Sequence, residues 1–354
     1  MANMNIRTPR FYCDYINYRL SRGIPQNTYY DVKDTGGSGA TASRGLQSGT
    51  EAELFDMRPL NLCGFDTGGD PDSRVVISLD VMGESESKIS FVAILNHNLA
   101  TAEGKIRISA HDTKSNIEAV NFGSATAISC TEVVNADTIH SNNVITPATD
   151  GSTIVKFTES DLRYFGIQFE GINGQTDAGA VDGTWGSTDL TVGCILIGEY
   201  YDMPNSPDLA VQRSIIYDNV SVQESIGGQR YGNMTNHGRQ VSSTSKSPFS
   251  TTTSQQQVFG GRIAYDMNFS YMASTDVMPT EYDTYNPSDD STIEDVWNRC
   301  NGPHIPMIFS IDKDSEGDNA ESEHIFARFG QNSLDMQQVA LDTFNISMRI
   351  EEEF

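Results

Sequence analysis

The chain has little positive charge, no closely spaced cysteines and no long apolar run, and each of these scarcities excludes a class of protein. Its 354 residues include 23 Lys or Arg against 48 Asp or Glu, which gives a net charge of −25. Because such a surface repels phosphate and the cations are scattered, we do not expect nucleic acid as a partner. No segment approaches the roughly 20 apolar residues that span a bilayer, and the segment from Met1 to Gly23 lacks the apolar stretch of a signal peptide.

The five cysteines lie far apart, and no CxxC pair occurs among them. Structural zinc sites use closely spaced ligand pairs, and disulfide-rich secreted domains usually carry an even number of cysteines. The sequence therefore predicts reduced thiols in a protein that is made in a cytoplasm, with no cofactor.

Alternating apolar residues are the main positive signal in the sequence. This period-2 alternation predicts strands that bury one face, and runs that are apolar on both faces predict central strands. The clearest examples span residues 75–81, 88–95, 104–109, 165–169, 190–201, 262–271 and 344–350. In the run 104–109, Ile106 and Ile108 are expected to point inward and Lys105 and Arg107 outward. Spaced alternating strands with few helices favour an all-β fold of antiparallel sheets.

Composition shifts divide the chain into four parts. Residues 1–72 are turn-rich and predict an N-terminal arm and irregular segment. Residues 73–225 carry the pattern of a jelly-roll-like sandwich, and residues 226–257, rich in Ser, Thr and Gln, predict a polar linker or arm. Residues 258–354 predict a second β-rich domain. It contains one short helix, because Ile293, Val296, Trp297 and Cys300 share a helical face.

A series of short motifs follows in a fixed order: NHNL at 96–99, GKIRI at 104–108, YFGI at 164–167, IGEYY at 197–201 and SIGG ending in Gly227 and Gly228. In this order they resemble a family of bacteriophage tail and virion structural proteins, in the style of marine phages. The core of that family looks like a discoidin or galactose-binding β-sandwich. The resemblance covers about residues 75–354 and implies a galactose-binding-like sandwich at 73–225. The chain departs from the family pattern at Tyr200 and Tyr201, where the family carries Trp, and has a longer insertion after Thr113.

The motif Asn96-His97-Asn98 is interpreted as a cap at the end of a strand. Asn side chains tolerate left-handed backbone and bond to it, and an imidazole can bridge two loops. A catalytic role would need a nucleophile or an acid partner. His111 and Asp112 follow the next strand, but nothing in the sequence orders a triad. We therefore expect a structural role for this motif, as for Gly227 and Gly228, and no enzymatic activity.

One aromatic residue is a candidate for binding sugar. Trp185 lies in the Gly-rich segment DGTWGSTD together with Asp182, and an exposed indole beside a carboxylate suits a sugar ring. The competing interpretation is a Trp that anchors a loop or is buried at a subunit interface, where aromatic residues are enriched. The sequence favours the second interpretation and keeps the first as the alternative.

One acidic segment matches a calcium-loop template in part. Asp312, Asp314, Glu316, Gly317 and Glu323 occupy positions 1, 3, 5, 6 and 12 of the twelve-residue pattern. The flanking segments predict strands, whereas the template belongs between two helices. We therefore expect no metal here, with calcium as the alternative.

These observations predict a structural component of a phage virion, most readily a tail protein at the tip, baseplate or adaptor region. Such a subunit works by repeating the same contacts, so its partners are copies of itself and other virion proteins. A host-glycan-binding tail adhesin and a head decoration protein are the alternatives. A glycan depolymerase would need paired carboxylates in a cleft, and the sequence singles out no pair.

Overall fold

The computed structural model describes residues 7–353 except 24–29, 36–45, 70–73, 82–87, 118–125, 137, 141–142, 173–182, 218–219, 235–261, 280–291, 318–319 and 321–322. Throughout the described residues, every ladder between paired strands is antiparallel. None of the helices in this part of the chain is both long and apolar enough to cross a bilayer. The predicted all-β class is confirmed.

The first part of the chain forms fifteen of the described strands. They are β1 (Arg10–Asp14), β2 (Tyr30–Thr35), β3 (Leu46–Ser48), β4 (Cys63–Phe65), β5 (Arg74–Asp80), β6 (Ile89–His97), β7 (Gly104–His111), β8 (Thr126–Ala127), β9 (Thr131–Val134), β10 (Thr138–Ile139), β11 (Val144–Thr146), β12 (Gly151–Ser160), β13 (Tyr164–Gly171), β14 (Leu190–Val192) and β15 (Cys194–Asp202). Two short helices, α1 (Tyr15–Ser21) and α2 (Lys114–Ile117), and a 3-10 helix (Glu51–Phe55) lie among them.

The remaining strands follow in the second part of the chain. They are β16 (Gln212–Ile216), β17 (Val220–Glu224), β18 (Arg230–Met234), β19 (Arg262–Ala273), β20 (Met307–Ser310), β21 (His324–Phe329), β22 (Met336–Ala340) and β23 (Thr343–Glu352). Two helices, α3 (Ser274–Val277) and α4 (Ile293–Arg299), pack beside them, so the predicted short helix is present together with a one-turn helix that the sequence did not predict.

Two sheets enclose the main core of the first part. One sheet has the strand order β10-β11-β7-β13-β5-β2, with β8 paired to β7. The other is an eleven-stranded sheet with the order β16-β19-β23-β21-β20-β1-β15-β6-β12-β9 and β22 paired to β23. Inward residues of β5, β7 and β13 meet those of β6, β12 and β15, for example Ile77, Ile108 and Ile167 against Val92 and Ile195. This is a sandwich, as the alternation predicted.

The outer face of the smaller sheet carries a buried charged cluster. Its register places Glu170 of β13 opposite both Arg74 of β5 and Lys105 of β7. The carboxylate lies 2.9 Å from Arg74 Nε and 3.4 Å from Lys105 Nζ. Burial lowers the pKa of Lys105, although Glu170 acts in the opposite direction. Lys105 and Arg107 do point away from the core, as predicted, but both are buried instead of facing solvent.

Strand β1 lies at the centre of the eleven-stranded sheet. It pairs with β15 along Arg10–Asp14 and with β20 through Arg10, Phe11 and Tyr12. The chain then turns into α1, because the Asp14 side chain accepts a hydrogen bond from Asn17 N and caps the helix. Residues 10–14 were expected to belong to an arm. They form a core strand, because an aromatic run without period-2 polarity suits a strand that is buried on both faces.

Two further cores pack on the eleven-stranded sheet. Phe11 and Tyr201 pack on one face with apolar residues of β19, β20, β21, β23 and α4. Tyr12, Leu196 and Phe326 pack on the other face. Helix α4 begins after Thr292, whose side chain forms a capping box with Asp295, and its apolar side faces the first of these cores.

The structure places parts of the four predicted segments as follows. The sandwich strands β5 to β15 lie within 73–225, and β19 to β23 lie within 258–354. The predicted linker, 226–257, begins inside a hairpin, because β17 and β18 pair across its first residues. The stretch from 235 to 257 lies outside the described residues.

Candidate interaction surface

The NHN motif ends strand β6 and joins it to two neighbouring segments. Asn96 adopts left-handed backbone with φ 54°, and the Asn98 side chain accepts a hydrogen bond of 2.7 Å from Thr191 N. His97 Nδ1 accepts from the Leu99 amide, so its proton is on Nε2, 2.8 Å from Thr153 Oγ1. Burial lowers the pKa of His97 to about 4. The geometry is that of a strand-end cap with a neutral imidazole.

Trp185 does not provide an exposed platform for sugar. Its side chain is 1% exposed and belongs to the sandwich core. The segment that carries it lies against the rest of the fold, because Gly186 N donates a hydrogen bond of 2.9 Å to Ala102 O, and Gly104 leaves room for the indole. This burial does not fit the alternative of an exposed indole, and it fits the favoured interpretation of a Trp that anchors a loop. Asp182, its predicted partner, lies outside the described residues.

The first two carboxylates of the segment that matches the calcium-loop template in part face an arginine. Arg7 Nε lies 3.8 Å from Asp312 Oδ2, and Arg7 Nη1 lies 3.6 Å from Asp314 Oδ2. Asp312 is buried, and its Oδ1 also accepts a hydrogen bond of 3.0 Å from the Asp314 amide. Glu323 lies in a turn before β21, where its amide donates to Ala320 O. These contacts belong to a loop that is closed by turns and ion pairs.

The third carboxylate of that loop faces two cations. Glu316 pairs with Lys156 of β12, and its Oε1 lies 3.7 Å from Arg10 Nη1. Arg10 also forms a two-pronged pair with Asp202, at 2.5 and 2.9 Å. Within the described ranges, no group of three or more His, Cys, Asp or Glu side chains is placed to hold a metal ion. Arg or Lys side chains thus pair with three of the four carboxylates, Asp312, Asp314 and Glu316.

A β-hairpin stands apart from the three larger sheets. Strands β17 and β18 pair from Val220 opposite Met234 to Glu224 opposite Arg230, and with no other described strand. The turn between them closes through Gly228, with φ 79°. Three large apolar side chains of this hairpin are exposed: Val222 at 61%, Tyr231 at 57% and Ile226 completely. An isolated two-stranded hairpin is marginally stable in water, so this element has reason to bind a neighbour.

The hairpin follows directly on an edge of the eleven-stranded sheet. Strand β16 is the outermost strand at that edge and pairs with β19 on one side alone among the described strands. Ile215 and Tyr217 are about half exposed there. An unpaired strand edge is a template for another strand unless it is covered. The β16 edge and the hairpin are therefore two candidate surfaces for a partner.

A second apolar surface lies at the far end of β19, and we call Leu209, Tyr271, Val339 and Leu341 the tip patch. Leu209 follows Asp208, whose amide and carboxylate bond to the β19 segment just before Tyr271. The Tyr271 amide donates to a side chain of β23, and Leu341 lies in the turn that joins β22 to β23. Tyr271 is 76% exposed and Leu341 is 85% exposed. The tip patch thus spans the ends of four neighbouring strands.

A polar cleft of about 650 Å³ lies between the loop after the 3-10 helix and strands β21 and β23. Its lining includes two carboxylates, Asp56 and Glu353. Asp56 accepts hydrogen bonds from the Arg58 amide and from Asn61 Nδ2, at 2.8 and 3.1 Å. Glu353 lies 3.2 Å from Arg328 Nε. Both carboxylates are engaged by groups of the chain itself, and the geometry does not single out an acid–base pair.

No protein-family model matches the chain, and no curated protein sequence matches it. One similar solved structure is chitosan-binding module 1 from a chitosanase/glucanase of Paenibacillus sp. IK-5, with 15% identity and a TM-score of 0.28. The alignment covers 48% of this chain and 96% of the module. A likeness of that strength carries no argument about what this chain binds.

Proposed function

We propose that the chain is a structural component of a bacteriophage virion, in the tail, and that it works by binding copies of itself and neighbouring virion proteins. The observation that carries the proposal is the hairpin Val220–Met234, a paired element with exposed apolar side chains and no core of its own. The order of the motifs from NHNL to SIGG supports the placement in a phage virion.

Burial of the hairpin against a neighbour would stabilise both partners. Covering a side chain such as valine or isoleucine removes apolar area from water and contributes about 1.5–3 kcal/mol when burial is complete. Val222, Ile226 and Tyr231 are all available for such burial. The strand edges of the hairpin add main-chain donors and acceptors, which strand-to-strand binding uses. A few such contacts offset the entropy that association costs.

The net charge fits a subunit that stays soluble until it assembles. Because each copy has a net charge of −25, free copies repel each other when their surfaces come closer than the Debye length, which is about 10 Å at 0.1 M salt. Contacts therefore form where acidic side chains are few or are paired. In the hairpin, Glu224 lies 3.3 Å from Arg230, so its single acid and single base cancel. Added salt is expected to strengthen self-association.

The proposal is tested by measuring the mass of the purified chain by light scattering across micromolar to sub-millimolar concentrations. We expect species larger than one chain that grow with concentration and with salt. A hairpin variant, Val222→Thr, Ile226→Ser and Tyr231→Ser combined, is expected to stay monomeric. Leu62→Ser is the matched control, because Leu62 is an exposed apolar residue on a different surface. A chain that stays monomeric under all of these conditions contradicts self-assembly.

Location is tested separately, on virions of the phage that encodes the chain. Mass spectrometry should find the chain in purified particles, and antibody-linked gold should label the tail. Labelling of the head would support the head decoration protein instead. Absence from particles would contradict the virion role altogether.

A further inference from the structure

We infer that Cys13 and Cys300 form a disulfide bond when the protein meets an oxidant, and that this bond ties strand β1 to the end of helix α4. Both thiols are free in the structure, and their sulfur atoms are in contact at 3.9 Å. The inference is independent of the proposed function, because it concerns two side chains within one copy of the chain.

The fold brings the two cysteines together although 287 positions separate them. Cys13 lies on β1 opposite Glu199 of β15, and Cys300 is the residue that ends α4. Both side chains pack in the core that contains Phe11 and the apolar side of α4, where they are 3% and 1% exposed. Their spacing along the chain does not indicate this contact, which depends on the pairing of β1 with β20 in the second part of the chain.

The contact distinguishes this pair from the other cysteines. Each of the other three thiols donates to a main-chain carbonyl: Cys63 to Thr50 O at 3.5 Å, Cys130 to Ile128 O at 3.6 Å and Cys194 to Ile195 O at 3.9 Å. Among the described residues, Cys13 and Cys300 are therefore the pair whose sulfurs already touch. The Cys300 sulfur also lies 3.6 Å from the thioether of Met307, so Met307 is the nearest competitor for an oxidant.

A disulfide at this place requires a small movement. Its S–S bond length is about 2.0 Å, so the two sulfurs have to approach each other by roughly 1.9 Å. Strand β1 is held between β15 and β20, whereas Cys300 lies at a helix end and is followed by left-handed backbone at Asn301 and Gly302. Because helix ends fray, we expect Cys300 to make most of the movement.

The surroundings of Cys300 make the reaction slow. The contact with Cys13 and burial raise the pKa of Cys300, so little of its thiolate, the reactive form, is present at neutral pH. The Arg299 guanidinium acts in the opposite direction. Hydrogen peroxide, which is small and uncharged, is therefore a more suitable oxidant for this pair than a bulky disulfide reagent.

The reaction with hydrogen peroxide has two steps. The thiolate of one cysteine attacks a peroxide oxygen, the O–O bond breaks, and a sulfenic acid and hydroxide form. The thiol of the other cysteine then attacks the sulfenic sulfur, the S–O bond breaks, and the S–S bond forms as water leaves. Two electrons pass from the two thiols to the peroxide, and the two thiol protons end in the two water molecules that are released.

Peroxide treatment followed by thiol counting tests the inference. The reduced chain is incubated with hydrogen peroxide in buffer, and also in urea below the unfolding transition so that slow access does not hide the bond. Catalase then removes the peroxide, and the chain is unfolded, alkylated and digested. We expect three alkylated cysteines instead of five, and a peptide that joins Cys13 to Cys300 and separates on reduction. The intact mass should fall by two hydrogen atoms before alkylation.

Three variants supply the controls, and circular dichroism checks the fold of each before treatment. Cys13→Ala and Cys300→Ala should each give no cross-linked peptide. Cys194→Ala removes a cysteine that is equally buried, in a different core, and should keep the link between Cys13 and Cys300. Five unmodified thiols under both conditions, oxidation that stops at Met307, or a cross-link between any other two cysteines would overturn the inference.

Discussion

Lowering the pH from 7 to 5 should destabilise this protein through two histidines that are buried in neutral form. His97 bridges the end of β6 to Thr153, and His324 Nδ1 donates a hydrogen bond of 2.8 Å to Ala320 O. Burial lowers the pKa of each imidazole from its ordinary value of 6.5 to about 4. For His324, the nearby guanidinium of Arg10 acts in the same direction.

The sign of the effect follows from which state binds the proton first. As pH falls through 6.5, each histidine takes up a proton in the unfolded chain while the folded chain excludes it until about pH 4. Stability is therefore present above pH 6.5 and is lost between 6.5 and 4. By pH 5 each histidine has lowered the free energy of unfolding by about 2 kcal/mol, because each pH unit below 6.5 contributes 1.36 kcal/mol until the folded pKa is reached. Together they remove about 4 kcal/mol.

Asp14 acts in the opposite direction over the same range. Its carboxylate is fully buried as the cap of α1, and burial raises its pKa to about 6, against hydrogen bonds that lower it. The folded chain therefore binds this proton before the unfolded chain does, which adds about 1 kcal/mol of stability by pH 5. The net loss from these three groups between pH 7 and pH 5 is about 2 to 3 kcal/mol.

Urea unfolding measures this loss of stability directly. It is compared at pH 7 and pH 5 for the unmodified chain and for a His97→Gln, His324→Gln double variant. Glutamine cannot take up the proton, so the double variant should lose the histidine contribution while all other titrating groups stay the same. The difference between the two pH dependences is the quantity of interest, because any packing defect in the variant is present at both values. An equal loss of stability in both proteins would refute the assignment of neutral buried histidines.

Three further outcomes are expected. Trp185→Ala should destabilise the fold by about 3–5 kcal/mol in urea unfolding, because a fully buried indole is removed from the core; a change of less than about 1 kcal/mol would contradict this burial. Asp202→Asn should cost about 3 kcal/mol, because it weakens the pairing of buried Arg10, whereas Glu224→Gln in the exposed hairpin pair should cost less than about 1 kcal/mol in the same urea experiments. All five cysteines are buried free thiols, and burial raises the pKa of Cys130 to about 12. A thiol reagent should therefore modify no cysteine in the native protein and all five cysteines after unfolding.

Local alternation was enough to predict most of the strands. Strands such as β19 and β23 bury one face, so their period-2 alternation can be recognised from consecutive residues; β5 and β7 alternate apolar and polar residues in the same way, although both of their faces are buried. The burial of Lys105 and Arg107 could not be predicted in that way. Their burial depends on Glu170, which the register of β13 brings opposite β7 from 65 residues further along the chain. A local pattern reports which face a residue is on, but it does not report whether that face is covered.

The candidate surfaces were harder to predict than the core. Gly227 and Gly228 were recognised as a motif, but the hairpin that they close was divided between a sandwich and a linker. Its strands pack on no core, and their register places the exposed Val222 and Tyr231 on opposite faces, so these residues do not mark one apolar face. The sequence left Trp185 with two interpretations, a buried loop anchor and an exposed platform for sugar. Glycines beside a Trp suggest an open loop, whereas here Gly171 and Gly183 allow the backbone of that segment to lie directly on β13.

The shared strand β1 connects the fold to the proposed assembly. Its residues alternate between two cores, with Phe11 on one face and Tyr12 on the other, and it pairs with β15 of the sandwich and β20 of the second part. The two parts of the chain are therefore joined through a sheet that is packed on both faces. A ring of identical subunits closes at a fixed number of copies if the angle between successive contacts is constant. A hinge between the two parts of the subunit would make that angle variable, and a sheet that runs through both parts keeps it nearly constant.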